Sequence, residues 1–103
     1  MVTEAMGAHP GIVFRSGPGG RRAGLVRGPD VWEVVGLLRS LEARGDAAVT
    51  EAAIWLNLSE SEVRATLAYY GEFPDEIDAM IAANDEAPER ARAAWERQQR
   101  LLA

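Results

Sequence analysis

The chain has 103 residues, the size of one domain, with 48% hydrophobic and 26% charged residues, a balance expected of a soluble globular chain. Its formal charge is −5, from sixteen acidic and eleven basic residues, and every basic residue is an arginine. Zero cysteines exclude disulfides and thiolate metal sites, a single histidine (His9) excludes multi-histidine zinc sites, and no window reaches the roughly 18 apolar residues of a membrane span.

The opening residues, MVTEAMGAHPG, lack a basic n-region and an apolar h-region, so a secretory leader is not expected and a cytoplasmic location is. His9 reads as a solvated loop residue without a nucleophile or base as partner. Ile12-Val13-Phe14-Arg15 has strand propensity, and Arg21–Val26 is a weaker second strand candidate. Between them, Ser16-Gly17-Pro18-Gly19-Gly20 is turn chemistry, and it lacks the Lys-Ser/Thr that completes a phosphate-binding loop. The segment 1–29 therefore reads as an N-terminal arm with a β-hairpin. A lone hairpin is marginal in water, so it must pack on helices or pair with a second chain. This arm carries Arg15, Arg21, Arg22 and Arg27 against Glu4 alone, whereas the rest of the chain is acidic. Such a basic arm can meet a phosphate backbone that the body repels.

Helical signals begin at Asp30, which has Glu33 at capping-box spacing. Trp32, Val35, Leu38 and Leu41 trace one apolar face, broadened by Val31, Val34 and Leu37, and Gly45-Asp46 is expected to end the helix. A second helix is expected from about Val49 to Leu56, burying Ala53, Ile54 and Leu56 and exposing Thr50 and Glu51. Asn57 tolerates a left-handed turn, and Leu58 plugs the corner. Ser59 with Glu62 forms a clear capping box for a third helix to about Tyr70, with Val63, Leu67 and Tyr70 inward and Gly71 as its stop. Phe73-Pro74 starts a fourth, whose inner face is Ile77, Met80 and Ile81. Ala87-Pro88 is expected to break it, leaving 88–102 as a separate amphipathic helix.

The resulting fold class is mainly α: an N-terminal β-hairpin, a three- or four-helix core over 30–84, and a C-terminal amphipathic helix over 85–103, folding as one domain. Two constellations carry function. The second helix, its tight turn and the third helix make a helix-turn-helix candidate, with small Ala53 where two helices cross and with Ser59, Ser61 and Arg64 facing out. Its exposed N-terminal half also carries Glu60 and Glu62, so any hold on a DNA backbone would fall to the hairpin arginines of a dimer. The tail offers Ala91, Ala94, Trp95, Gln98, Leu101 and Leu102 on one stripe, with Arg92, Arg97 and Arg100 beside it. That stripe either folds back on its own core or lies in a partner's groove. No two groups are placed to cooperate in catalysis, so an enzyme, a metal and a cofactor are not expected.

His9-Pro10-Gly11-Ile12-Val13-Phe14, Gly20-Arg21-Arg22-Ala23 and Val31-Trp32-Glu33-Val34-Val35 occur in an order and spacing that carry a family resemblance. Leu58-Ser59, Val63-Arg64, Ala68-Tyr69-Tyr70 and Phe73-Pro74-Asp75-Glu76-Ile77-Asp78 extend it. Together they resemble the VapB-like antitoxins known as domain of unknown function number 433, over about residues 9 to 83. The resemblance implies a homeodomain-like helix-turn-helix preceded by β-strands. It also implies an antitoxin of a type II toxin–antitoxin pair, which restrains a PIN-like nuclease toxin and represses its own operon by binding operator DNA. PIN-like sites use clustered carboxylates and a divalent metal, so the tail arginines would enter among the acids or block access. A homodimer is the expected assembly, and a stand-alone transcriptional regulator is the alternative.

Overall fold

The computed structural model describes residues 9–18 and 20–103. Strands β1 (Ile12–Gly17) and β2 (Gly20–Leu25) pair antiparallel, Ile12 opposite Leu25 and Gly17 opposite Gly20. Gly20 adopts a φ of 101°, which a side chain would disfavour. The hairpin does not stand alone. Ile12, Ala23 and Leu25 are buried in the same core as the helices, and Phe14 packs edge-on to Tyr69. Packing of this kind stabilises a hairpin that is marginal by itself.

Beyond the hairpin, β2 bridges back to Asp30, the cap of α1 (Val31–Ser40). The expected capping box is present, with Glu33 accepting from the Asp30 amide at 3.2 Å. Helix α1 stops at Ser40, earlier than the Gly45-Asp46 boundary, because Leu41 turns extended and 41–45 form the connector. Its deepest residues are Val31, Val34 and Val35, while Trp32, Leu37, Leu38 and Leu41 stay half-buried.

Helix α2 (Asp46–Leu56) begins a turn before Val49 and buries Ala48, Val49, Ala52 and Ala53. Ile54 is not in the core as expected. It is 75% exposed, because the small alanines seat the helix closely on the opposite side. Asn57 takes the left-handed conformation at φ 55°, and Leu58 N–H returns to the Ala53 carbonyl at 2.9 Å. Ser59 caps α3 (Glu60–Glu72): its hydroxyl accepts from the Glu62 amide at 3.1 Å, and Glu62 accepts from the Ser59 amide at 2.9 Å. The inward face of α3 is Val63, Thr66 and Tyr69. Tyr69, not Tyr70, therefore points into the core. Thr66 lies fully buried there because its hydroxyl donates to the Val63 carbonyl at 2.6 Å.

Helix α4 (Pro74–Leu102) starts where Phe73-Pro74 predicts, with Ile77 buried and Met80 and Ile81 against the core. The expected break at Ala87-Pro88 does not occur: α4 runs 29 residues with Pro88 inside it. The tail is thus the outer part of one helix. Proline removes a single N–H donor, and on an exposed stretch water can satisfy the freed carbonyl. Arg90 supports this turn, donating to Glu86 at 3.1 Å and to the Ala83 carbonyl at 3.3 Å. The protruding helix gives the molecule its length, 56 × 36 × 23 Å. Among the described residues, no helix is long and apolar enough to cross a membrane.

Candidate functional site

Two surfaces contain the residues that the sequence singles out. The first joins the hairpin to the helix-turn-helix formed by α2, Asn57 and α3. Here the arginines of the basic arm are held by acids of the chain itself. Asp30 is buried, and its carboxylate accepts from Arg22 Nε at 2.7 Å and from Arg15 Nη1 at 3.1 Å. Arg15 also donates to the Leu25 carbonyl. Two arginines from adjacent strands thus converge on the residue that caps α1. Arg27 reaches across to α3 and grips Glu62 with two bonds, at 2.7 and 3.1 Å, and donates to the Asn57 carbonyl at 3.3 Å. That grip, with the Ser59 amide, holds the Glu62 carboxyl down at about 2.

Arg64 is taken up likewise, pairing with Asp46 at the start of α2 at 2.9 Å. Ser59 and Ser61 are exposed, with their hydroxyls 3.1 Å apart. Glu60 accepts from Thr50 at 3.1 Å, tying α3 to α2. Arg21 differs from the other arm arginines: its guanidinium stacks over the Phe14 ring at 4.2 Å from the centroid. The four paired arginines would have to exchange an internal carboxylate for a phosphate to bind DNA. Such an exchange gains much less than placing an unpaired cation there.

The second surface is the outer part of α4. From Ala82 onward every residue is exposed except Ala93 and Ala94, which are half-buried. Trp95 is 59% exposed, Leu101 87% and Leu102 78%, so large apolar side chains face water and the stripe does not fold back on its own core. At about 100° per residue, Ala91, Trp95, Gln98 and Leu102 continue the face on which Ile77, Met80 and Ile81 meet the core. Arg92, Arg97 and Arg100 are exposed alongside, and Arg92 approaches Glu89 at 3.8 Å.

A third feature escapes a reading of the sequence. A groove of about 550 Å³ lies between α1 and the early part of α4, lined by Trp32, Gly36, Leu37 and Ile81. A second of about 420 Å³ adjoins it through Leu37 and Ser40, and reaches Leu41 and Trp55 on α2. Trp55 is 69% exposed there. One signal could have pointed to it. Helix α2 carries apolar residues on every side, more than a single buried face can take, so some had to remain outside.

His9 also departs from expectation. It is buried rather than solvated, sandwiched edge-on by Tyr69 and Phe73, with Nε2 at 3.2 Å from Glu72. The nearby Tyr69 hydroxyl donates to both oxygens of Glu76, and burial with that carboxylate pushes its pKa up to about 12. Among the described residues, no cluster of three or more histidines and acids is placed to hold a metal ion.

These features define a class: a mainly helical domain with an N-terminal hairpin and a helical arm, bearing one apolar stripe, that stands free of its core. Compared with protein-family models, curated proteins and solved structures, the chain matches none.

Proposed function

We propose that this chain is a protein-binding module, the antitoxin of a type II toxin–antitoxin pair, which restrains a PIN-like ribonuclease through the outer part of α4. The observation that carries the reading is the stripe of Trp95, Leu101 and Leu102, left exposed on an ordered helix. A tryptophan flanked by arginines has the composition of an interface anchor. Arg92, Arg97 and Arg100 then serve the chemistry. A PIN-like site presents clustered carboxylates, and a guanidinium entering among them makes bidentate, charge-assisted bonds while displacing substrate. The family resemblance over residues 9 to 83 supports the same reading. The test is co-expression with the product of the adjacent reading frame, followed by co-purification and a ribonuclease assay. A silenced nuclease in a stable complex is expected. Trp95→Ala with Leu101→Ala should weaken that complex at least about tenfold. Unchanged affinity places the interface elsewhere.

Operator binding is the second role in this reading, favoured by the left-handed turn at Asn57 between α2 and α3. Ser59, Ser61 and Arg64 would approach the groove, and Arg15, Arg21, Arg22 and Arg27 the backbone. The internal pairing of four of these arginines and the net charge of −5 argue for weak binding. A stand-alone regulator without a toxin would have to overcome both. Duplex retardation at low salt, with a slope of several units in log–log salt dependence, would favour it.

A further inference from the structure

We infer that two copies of this chain associate by reciprocal exchange of their helical arms, the outer part of α4 from each copy lying in the groove along α1 of the other. The groove has an apolar floor of Trp32, Leu37 and Ile81 and continues to Trp55. Its rim is acidic on balance: Glu33 and Asp85 border the inner part, where Arg39 is tied to Asp78, and Glu42 and Glu51 border the outer. The arm has the complementary character. Residues 88–103 carry four arginines against two glutamates in a chain of net charge −5, and present Trp95, Leu101 and Leu102 along one side. Basic, apolar and helical on one part, acidic, apolar and grooved on the other, the two surfaces suit each other.

Their lengths agree as well. The fifteen helical residues from Pro88 to Leu102 span about 22 Å, enough to follow the ten residues of α1 and continue to Trp55. The same chain cannot fill its own groove, because α4 is continuous through Pro88 and carries the arm past the groove into solvent. Doubling back would require breaking the helix. Yet Ile81, Asn84 and Asp85 of α4 line the groove, so the arm departs from its mouth. A two-fold axis there lets each arm cover the other copy's groove, the self-complementary arrangement of cyclic dimers. The exchange buries the apolar stripe when no other partner is bound, and a partner that takes the arm competes with it. This inference does not depend on the identity of any such partner.

The test uses the full chain alone in sedimentation equilibrium. A dimer is expected. Gly36→Arg obstructs the groove; a Cβ there meets nothing within 4 Å, so the substitution starts without a clash and favours the helix, and circular dichroism checks that the variant is folded. It should raise the dimer dissociation constant at least about tenfold, as should Trp95→Ala with Leu101→Ala. The absence of cysteine allows a Ser40→Cys variant to carry a benzophenone at the groove's rim. In a mixture with an isotope-labelled copy, photo-crosslinks should map to residues 88–103 of the labelled chain. A monomer at sub-millimolar concentration overturns the inference. So does a dimer insensitive to Gly36→Arg, which would mean that the arms coil on each other, and so do crosslinks to any other segment. The nuclease reading is untouched by these outcomes, since no partner is present.

Discussion

Asp30 joins three elements, and its replacement by alanine should be the most damaging single change to the hairpin. The buried carboxylate accepts from Arg22 of β2 and Arg15 of β1, and the residue caps α1. Breaking a buried ion pair by removing one partner costs about 3–5 kcal/mol, because the remaining charge is stranded. The arginine side chains here keep 32% and 37% of their exposure, so water can partly rehydrate them and the cost falls to about 2 kcal/mol. Loss of the helix cap adds about 1 kcal/mol. The expected total is about 3 kcal/mol, or a melting temperature lower by about 12–24 °C for a chain of this size. Asp30→Asn keeps the cap and the shape while removing the charge, and should lose about half as much. Urea denaturation followed by circular dichroism measures both, with an unchanged m-value as the check that only stability has moved. A shift for Asp30→Ala below about 0.5 kcal/mol would refute the argument that this network anchors the hairpin. The same variant frees two arginines, so its non-specific duplex affinity should exceed that of the unaltered chain at low salt.

Other expectations follow from the same geometry. The Glu62 carboxyl, depressed to about 2 by Arg27, contributes stability that is full above its unfolded value near 4.5 and lost as pH falls toward 2; Arg27→Ala should flatten that acid limb in a pH titration of Tm. Tyr69, raised to about 12, contributes stability that is full below pH 10 and lost as pH rises toward 12, and Tyr69→Phe should remove this alkaline dependence. Gly24→Ala should destabilise by about 1–3 kcal/mol in urea denaturation, because its Cβ would lie 2.9 Å from Asp30 Oδ1 and 3.3 Å from Asp30 Cα as well as against Arg15. Pro88→Ala should restore a helical hydrogen bond in an exposed arm, raising amide protection on both sides of position 88 in hydrogen exchange without moving the core. Greater fraying in that variant would mean that Pro88 stabilises the helix.

Signals confined to a few neighbouring residues were enough for the element order. Ser59 and Glu62 place the start of α3, Phe73-Pro74 the start of α4, Asn57 the turn between α2 and α3, and the glycine-rich 16–20 the hairpin. Each is a cap or turn whose energetics involve only adjacent backbone groups. The stripe of Trp95, Leu101 and Leu102 was legible from its helical spacing, but that it stays exposed and does not fold back on the core follows from the course of α4, which runs on past the groove. The tertiary structure decided what depends on distant neighbours. It chose Tyr69 over Tyr70 for the core, and turned Ile54 outward because alanines on the other side of α2 allow the closer approach. It drew His9 beneath Phe73 from 64 residues away in the chain, and carried α4 through Pro88 where local preference alone predicts a break. Most of all, it set Arg15 and Arg22 of the arm against Asp30 and Arg27 against Glu62, and paired Arg64 of α3 with Asp46, so that most of the basic patch is met by acids of the chain itself. Composition records how many charges a segment carries. Only the packing of one element on another determines which of them meet an opposite charge before any partner arrives.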